Sequence, residues 1–133
     1  TGTGAVVLGT SPTLATPTFD SAQLATISGT APLYMCRAWV NFNGTGTVAI
    51  RASGNVSSIT DNGTGDYTVN FTTAMSDANY SANGMMSNDA AVNCFANFNT
   101  TSPIATGSCR VAAYGVNPFG TRDPVYCCIT IFR

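Results

Sequence analysis

Residues 39–71 read WVNFNGTGTVAIRASGNVSSITDNGTGDYTVNF, and this stretch decides the fold. Apolar and polar residues alternate along much of it with a period of two, which is typical of half-buried β-strands. The tetrapeptide NGTG occurs twice, beginning at Asn43 and at Asn62. Asn and Gly tolerate the positive φ that tight hairpin turns require, so the two turns predict a meander from Tyr34 to Thr73. The dipeptide Gly54-Asn55 interrupts its middle strand and predicts a bulge or kink.

The alternation continues beyond this stretch, in residues 92–98 and 109–114. Residues 125–133 differ because both faces of the predicted strand are apolar, which is typical of a strand in the middle of a sandwich or at a subunit contact. One face carries Val125, Cys127, Ile129 and Ile131, and the other carries Tyr126, Cys128 and Phe132. The pattern gives about seven or eight strands. We therefore predict an all-β fold, an antiparallel, jelly-roll-like β-sandwich over residues 34–133.

The composition excludes several classes of function. Histidine, lysine and glutamate are absent from the 133 residues, and most proton-transfer and nucleophilic chemistry near neutral pH depends on such side chains. We therefore expect neither enzyme activity nor a cofactor. A net charge of −1 and five scattered arginines offer no surface for nucleic acid. No apolar run approaches the roughly 20 residues of a membrane helix, so we expect no membrane insertion.

The first 33 residues form a segment of a different kind. Pro12, Pro17 and Pro32 exclude a long helix or a central strand. A short irregular segment cannot bury its apolar side chains alone, so we predict a stem that packs against copies of itself in an oligomer. Its predicted oligomer contacts are Val6, Val7, Leu8, Leu14 and Phe19. The chain begins at Thr1 rather than Met, so we expect a longer or processed polypeptide.

The five cysteines do not have the spacing of a zinc site or of a secreted disulfide framework. Cys94 and Cys109 lie in alternating apolar patterns, and Cys127 and Cys128 should point to opposite faces of one strand. We predict reduced thiols in the core, where they behave as small hydrophobic groups. A Cys94–Cys109 disulfide is the alternative.

The aspartates lie at predicted turns. Asp61 and Asp66 bracket the second NGTG turn, where a pair of carboxylates is also what a glycoside hydrolase uses. We favour a turn role for them, and for Asp77, Asp89 and Asp123, because Asp side chains accept hydrogen bonds from nearby backbone amides. The spacing is not that of a calcium loop, so we expect no metal.

Two stretches, residues 85–89 and 114–123, are predicted to be loops that expose apolar and aromatic groups beside polar ones. Rings that stack, with amides and carboxylates nearby, are typical of surfaces that bind sugars or proteins. The alternative is that Tyr114 and Phe119 cover one end of the core. The candidate receptor contacts are Tyr114, Asn117, Phe119, Arg122, Asp123, Met85 and Met86.

Two stretches also resemble a known family. The opening GTGAVVLGTSPTLATPTF resembles the repeat-like stem that precedes the tip domains of tailed-bacteriophage fibres. Residues 37–80, RAWVNFNGTGTVAIRASGNVSSITDNGTGDYTVNFTTAMSDANY, resemble a module of phage tail-fibre and other virion appendage proteins. Together the two cover roughly half the chain.

The resemblance implies an all-β virion appendage, assembled in the host cytoplasm as a parallel homotrimer together with other virion proteins. Its distal surface would contact a host cell-surface glycan or protein. It carries over no catalytic residue, since the shared positions are turn and core residues. A capsid decoration or head-fibre protein is the alternative, and a glycan-degrading spike that uses Asp61 and Asp66 is a third reading.

The predicted trimer has a direct test. Light scattering of the purified chain at micromolar concentration should give about 41 kDa, three times the 13.7 kDa of one chain. A molar mass of about 14 kDa would contradict both the predicted packing of the stem and the fibre interpretation.

Overall fold

A computed structural model describes residues 35–87, 93–98, 103–116 and 118–133. Ten β-strands and no helix are found in these residues. The strands are β1 (Cys36–Asn43), β2 (Ala49–Gly54), β3 (Val56–Gly63), β4 (Asp66–Phe71), β5 (Ser81–Ser87), β6 (Asn93–Phe98), β7 (Ile104–Ala105), β8 (Ser108–Val116), β9 (Phe119–Thr121) and β10 (Tyr126–Phe132).

The strands form a single antiparallel sheet that is nearly a barrel. Their order is β2-β1-β10-β5-β6-β8-β4-β3, and the short strands β7 and β9 both pair with β8. The two ends of this order, β2 and β3, follow each other in the chain, so one bent strand brings the ends of the sheet together. The predicted all-β, antiparallel class is confirmed, and the predicted meander is present as β1, the bent strand and β4.

Asn55 makes the bend between β2 and β3. It has a φ of 57°, a left-handed conformation that Asn tolerates better than most residues with a side chain. Its Nδ2 donates to the carbonyl oxygens of Arg37 (3.1 Å) and Thr73 (3.0 Å), and its Oδ1 accepts from the Thr73 amide at 2.8 Å. One side chain thus ties the start of β1 to the chain just after β4, and the predicted kink is confirmed.

The inner face of the sheet is the core. Ala38, Val40 and Phe42 on β1 are buried, as the period of two predicts. Alternate residues of three further strands are also buried. They are Tyr67, Val69 and Phe71 on β4; Cys109, Val111 and Ala113 on β8; and Cys127, Ile129 and Ile131 on β10. β2 and β3, at the two ends of the strand order, are exceptions. β2 is exposed along nearly its whole length, and β3 is exposed except at Val56 and Ile59.

Both NGTG turns bind the segment before β10. The Gly44 amide donates to the Pro124 carbonyl oxygen at 2.9 Å, and the Gly65 amide donates to Asp123 Oδ1 at 2.7 Å. The buried Tyr67 hydroxyl lies 2.8 Å from the same Asp123 oxygen and 3.1 Å from the Gly44 carbonyl oxygen. Burial, followed by the Asp123 hydrogen bond, raises the pKa of Tyr67 well above its usual range, so this hydroxyl keeps its proton.

The predicted stem, residues 1–33, and its oligomer contacts Val6, Val7, Leu8, Leu14 and Phe19 lie outside the described residues. Their role remains a prediction. No helix in the described part of the chain is long and apolar enough to cross a membrane.

The bend at Asn55 predicts an ordered series of stabilities. Asn55→Gly keeps the positive φ but removes the three side-chain hydrogen bonds, and should lower the free energy of unfolding by about 2–3 kcal/mol. Asn55→Ala also imposes a left-handed conformation on alanine and should cost about 1 kcal/mol more. Urea unfolding of both variants measures this. An Asn55→Ala protein as stable as the wild type would show that the bend does not hold the sheet together.

Candidate functional site

The outer face of the sheet carries a row of apolar side chains across adjacent strands. Cys128 on β10 is opposite Met85 on β5, Met85 is opposite Phe95 on β6, and Phe95 is opposite Tyr114 on β8. Val116 and Phe119, which are opposite each other in the β8–β9 hairpin, and Tyr126 on β10 extend this row. We call these residues the outer apolar surface: Met85, Phe95, Tyr114, Val116, Phe119, Tyr126 and Cys128.

Three rings of this surface stack on one another. The ring centroids of Phe95 and Tyr114 are 5.8 Å apart with 24° between the planes, and those of Tyr114 and Phe119 are 5.5 Å apart with 10° between the planes. Such offset pairs are favourable beyond the area they bury, by about 0.5–1.5 kcal/mol. Stacking holds the rings in one arrangement while Phe119 remains 72% exposed.

Large apolar groups and one positive charge complete the surface. The side chain of Met85 is 81% exposed, and Val116 and Tyr126 are about half exposed. The guanidinium carbon of Arg51 lies 4.5 Å from the centroid of the Tyr126 ring, within the range of a cation–π contact. Contiguous exposed apolar patches on soluble domains mark interaction sites more often than scattered single residues do.

The structure brings together three of the predicted contacts, Tyr114, Phe119 and Met85. The predicted contact Met86 is only 7% exposed and belongs to the core, so the expectation that it is an exposed loop residue is wrong. The reason is that β5 continues through Ser87, and successive residues of a strand face opposite sides. The predicted loop 114–123 is also largely the β8–β9 hairpin, and Asn117 within it lies outside the described residues.

Arg122 and Asp123 directly follow β9, in the segment that the two NGTG turns bind. Asp123 Oδ1 accepts from Gly65 and Tyr67, so this carboxylate serves the fold. Arg122 is half-buried, and its Nε is a buried nitrogen without a hydrogen-bond partner among the described residues. Their contact with a receptor remains a prediction.

The sequence predictions missed Phe95, Val116, Tyr126 and Cys128 as members of the surface. A signal for two of them was present, because Tyr126 and Cys128 form the second apolar face of the last strand. Phe95 stood at a position that the alternation assigns to the solvent side, where a large aromatic residue is unusual.

The turn interpretation is confirmed for Asp61 and Asp77, which accept from nearby backbone amides, whereas Asp66 and Asp123 have partners distant in sequence. Asp61 Oδ1 accepts from the Gly63 amide at 2.9 Å within the second NGTG turn. Both oxygens of Asp66 accept from Arg110, at 2.9 and 2.7 Å. Asp77 accepts from the Asn79 amide and from Arg133, and the Arg133 hydrogen bond is the main cause of a lowered pKa of Asp77. Asp89 lies outside the described residues.

None of the five cysteines is in a disulfide, so the prediction of reduced thiols is confirmed. The alternative Cys94–Cys109 disulfide is excluded by the strand register, since Cys94 is opposite Gly115, six residues along β8 from Cys109. That separation is about 20 Å, whereas a disulfide needs Cα atoms within roughly 7 Å. Burial raises the pKa of Cys109 to about 11 and that of Cys127 to about 12, so both thiols stay protonated at neutral pH.

Comparisons with known proteins identify no relative. No family model, no curated protein and no solved structure matches the chain.

The thiols should separate into classes under alkylation. In the folded protein at pH 7.5, iodoacetamide should modify the exposed Cys36 and Cys128 first and the half-buried Cys94 more slowly, and leave Cys109 and Cys127 intact. Peptide mass spectrometry over time measures the order, with urea-unfolded protein as the control. Rapid modification of Cys127 in folded protein would contradict the buried face of β10.

The same burial predicts a loss of stability in alkali. The pKa values of Cys109 and Cys127 are raised in the folded state, so their contribution to the free energy of unfolding is complete below the ordinary thiol pKa near 9. It is lost as the pH rises toward 11 to 12. Urea midpoints between pH 8 and pH 10.5 should therefore fall, and Cys127→Ala should flatten the slope. An unchanged midpoint over this range would contradict the prediction.

Proposed function

We propose that the chain is a non-enzymatic virion appendage domain, of the tail-fibre kind, that attaches to a host cell surface through the outer apolar surface. The virion part of this proposal is supported by the resemblance of residues 2–19 and 37–80 to fibre stems and appendage modules. The attachment part is supported by the exposed stacked row Phe95, Tyr114 and Phe119.

The stacked row is the observation that carries the proposal. A ring held in place by its neighbours loses little conformational freedom when a partner covers it, so more of the burial energy is available for binding. Aromatic residues are for this reason enriched among residues that dominate binding interfaces. Each exposed apolar square ångström that a partner covers contributes about 25 cal/mol before the costs of association.

A binding role also fits the chemistry of the side chains. The chain has no imidazole, no amine side chain and no glutamate. Asp61, Asp66, Asp77 and Asp123 are engaged in turns, ion pairs or the contact with Tyr67. These contacts of the aspartates stabilise the fold. In the proposal, attachment is therefore the role of the outer apolar surface. In the proposal the chain acts as a parallel homotrimer joined to other virion proteins, and its partner is a host glycan or protein.

The proposal predicts which substitutions weaken attachment. Phe119→Ala should weaken binding of the labelled protein to bacterial cells by roughly 10- to 30-fold, since a central aromatic anchor contributes about 2 kcal/mol. Its stability should fall by only about 0.5–1.5 kcal/mol, the contribution of the lost Tyr114–Phe119 stack, because the ring is otherwise largely exposed. Cell-adsorption assays over a panel of bacteria, with a glycan array alongside, measure the effect.

Phe132→Ala is the matched control, because Phe132 is 36% exposed on β10 and away from the stacked rings. Arg122→Ala tests the predicted contact outside the surface. Binding that survives Phe119→Ala and Phe95→Ala together would remove the outer apolar surface from the attachment function.

A further inference from the structure

The wall of the sheet opens between β5 and β6. The two strands pair at only three positions, and the last pair is Met85 with Phe95. If the ladder continued, the next pairs would be Gly84 with Ala96, Asn83 with Asn97, and Ala82 with Phe98. Instead β5 continues to pair with β10 as far as Ser81, and β6 continues to pair with β8 as far as Phe98.

The opening is a pocket with an apolar floor and polar rims. Its volume is about 110 Å³. All six residues of the missing pairs line it, and the buried side chains of Val111 and Ile129 form the floor. Asn83 and Asn97 are exposed and lie on the two sides of the mouth. Strand backbone groups alternate between neighbours, and the pairing of Ala96 with Ala113 leaves the backbone groups of Phe98 on β6, like those of Ala82 on β5, directed toward the opening.

The size of the pocket limits what enters it. A cavity of about 150 Å³ accommodates benzene, so this pocket takes a group of about four non-hydrogen atoms. An inserted peptide strand would need its two neighbours roughly 9.5 Å apart. A Cβ on Gly84 would lie only 2.6 Å from Ala96 Cβ and 2.7 Å from Ile129 Cδ1, so the walls are too close for a strand.

The chemistry of the pocket selects a small secondary amide. Such a group has a methyl that fits the apolar floor, one N–H donor and one carbonyl acceptor. Two asparagine side chains, and the strand backbone groups directed toward the opening, supply the complementary groups at the mouth. Buried apolar surface with a few polar groups that fix orientation is the usual form of a small-ligand site.

We propose that this pocket binds the acetamido group of an N-acetylated sugar. Gly84 and Ala96 are the chain neighbours of Met85 and Phe95, so the sugar ring would lie toward the Phe95 end of the outer apolar surface. The inference rests on the proposed attachment function in one respect: that function makes a glycan on the host cell the source of the sugar. Its physical basis is the missing ladder between β5 and β6.

The test is an NMR titration of the full chain, labelled with ¹⁵N. N-acetylglucosamine should shift the backbone amides of residues 82–84 and 96–98, with a Kd on the order of 1 mM for a single sugar. N-methylacetamide should shift the same amides more weakly, and glucose, which has a hydroxyl in place of the acetamido group, should not. Equal shifts with glucose and N-acetylglucosamine would overturn the proposal.

Two variants separate binding from folding. Ala82→Leu places a larger side chain in the pocket and should weaken N-acetylglucosamine binding by about tenfold or more, whereas Ala52→Leu on the exposed β2 should leave it unchanged. Asn97→Ala changes only an exposed side chain and should weaken binding without altering the rest of the spectrum. Full binding by both Ala82→Leu and Asn97→Ala would overturn the assignment.

The outcomes also distinguish this inference from the attachment function. A capped dipeptide that binds these residues more tightly than N-acetylglucosamine would make the occupant a peptide and overturn the glycan assignment. If Phe119→Ala abolishes cell binding while N-acetylglucosamine shifts nothing, attachment stands and the pocket assignment fails. If the sugar binds the pocket but cells bind every variant equally, the pocket stands and the proposed function fails.

Discussion

The sheet depends on one residue that lets a strand turn a corner. Without the bend at Asn55, β2 and β3 would continue in one direction, and the strand could not pair with β1 at one end of the sheet and with β4 at the other. The side chain then binds Arg37 and Thr73, so the conformation that makes the bend and the hydrogen bonds that hold it come from the same residue. Because the carboxamide has two donor hydrogens and one acceptor oxygen, a single Asn can satisfy all three contacts.

Curling the sheet separates two environments that a flat sheet would not distinguish. The inner faces of β1, β4, β8 and β10 come together over a common core, and the Tyr67 hydroxyl is satisfied by the turns at one end. The outer faces are left to solvent or to a partner. On β10 this distinction falls between adjacent residues, since Cys127 is fully buried and Cys128 is exposed. Packing in the core therefore does not explain why the outer face of β10 is apolar.

Local signals in the sequence predicted local features of the fold. The alternation identified the inward residues of β1, β4 and β8, but not of β10, whose two faces are both apolar. NGTG and Gly54-Asn55 located two turns and the bend, because these depend on the backbone preferences of a few adjacent residues. The order of the strands could not be predicted, since a period of two fixes the faces of a strand but not its neighbours. Met86 shows the consequence. Without knowledge that β10 and β6 flank β5, the sequence predicts a loop over residues 85–89 and assigns one buried methionine to the surface.

Prediction of the candidate site from the sequence was also limited by the unknown order of the strands. Phe95, Tyr114 and Phe119 are far apart in sequence and meet only because β6, β8 and β9 are neighbours in the sheet. The aromatic residues of residues 114–123 could be named from the sequence, but the row to which they belong could not. The placement of Asn83 and Asn97 on opposite sides of the pocket is still harder to predict from the sequence. It depends on the register of β5 and β6, whose pairing ends at Met85 and Phe95.

The short β5–β6 ladder has a cost that bears on function. Each backbone hydrogen bond that a continued ladder would add contributes about 0.5–1.5 kcal/mol, so the missing pairs give up a noticeable part of the stability of a small domain. A larger residue than Gly84 would collide with Ala96, and the two strands therefore approach closely at the point where their pairing ends. A domain that only braced a larger structure would gain from closing this opening and from covering the rings of Phe95 and Phe119. An open seam beside exposed, ordered rings is instead an arrangement suited to receiving a ligand, because both features cost stability in the free protein and recover it when a partner covers them.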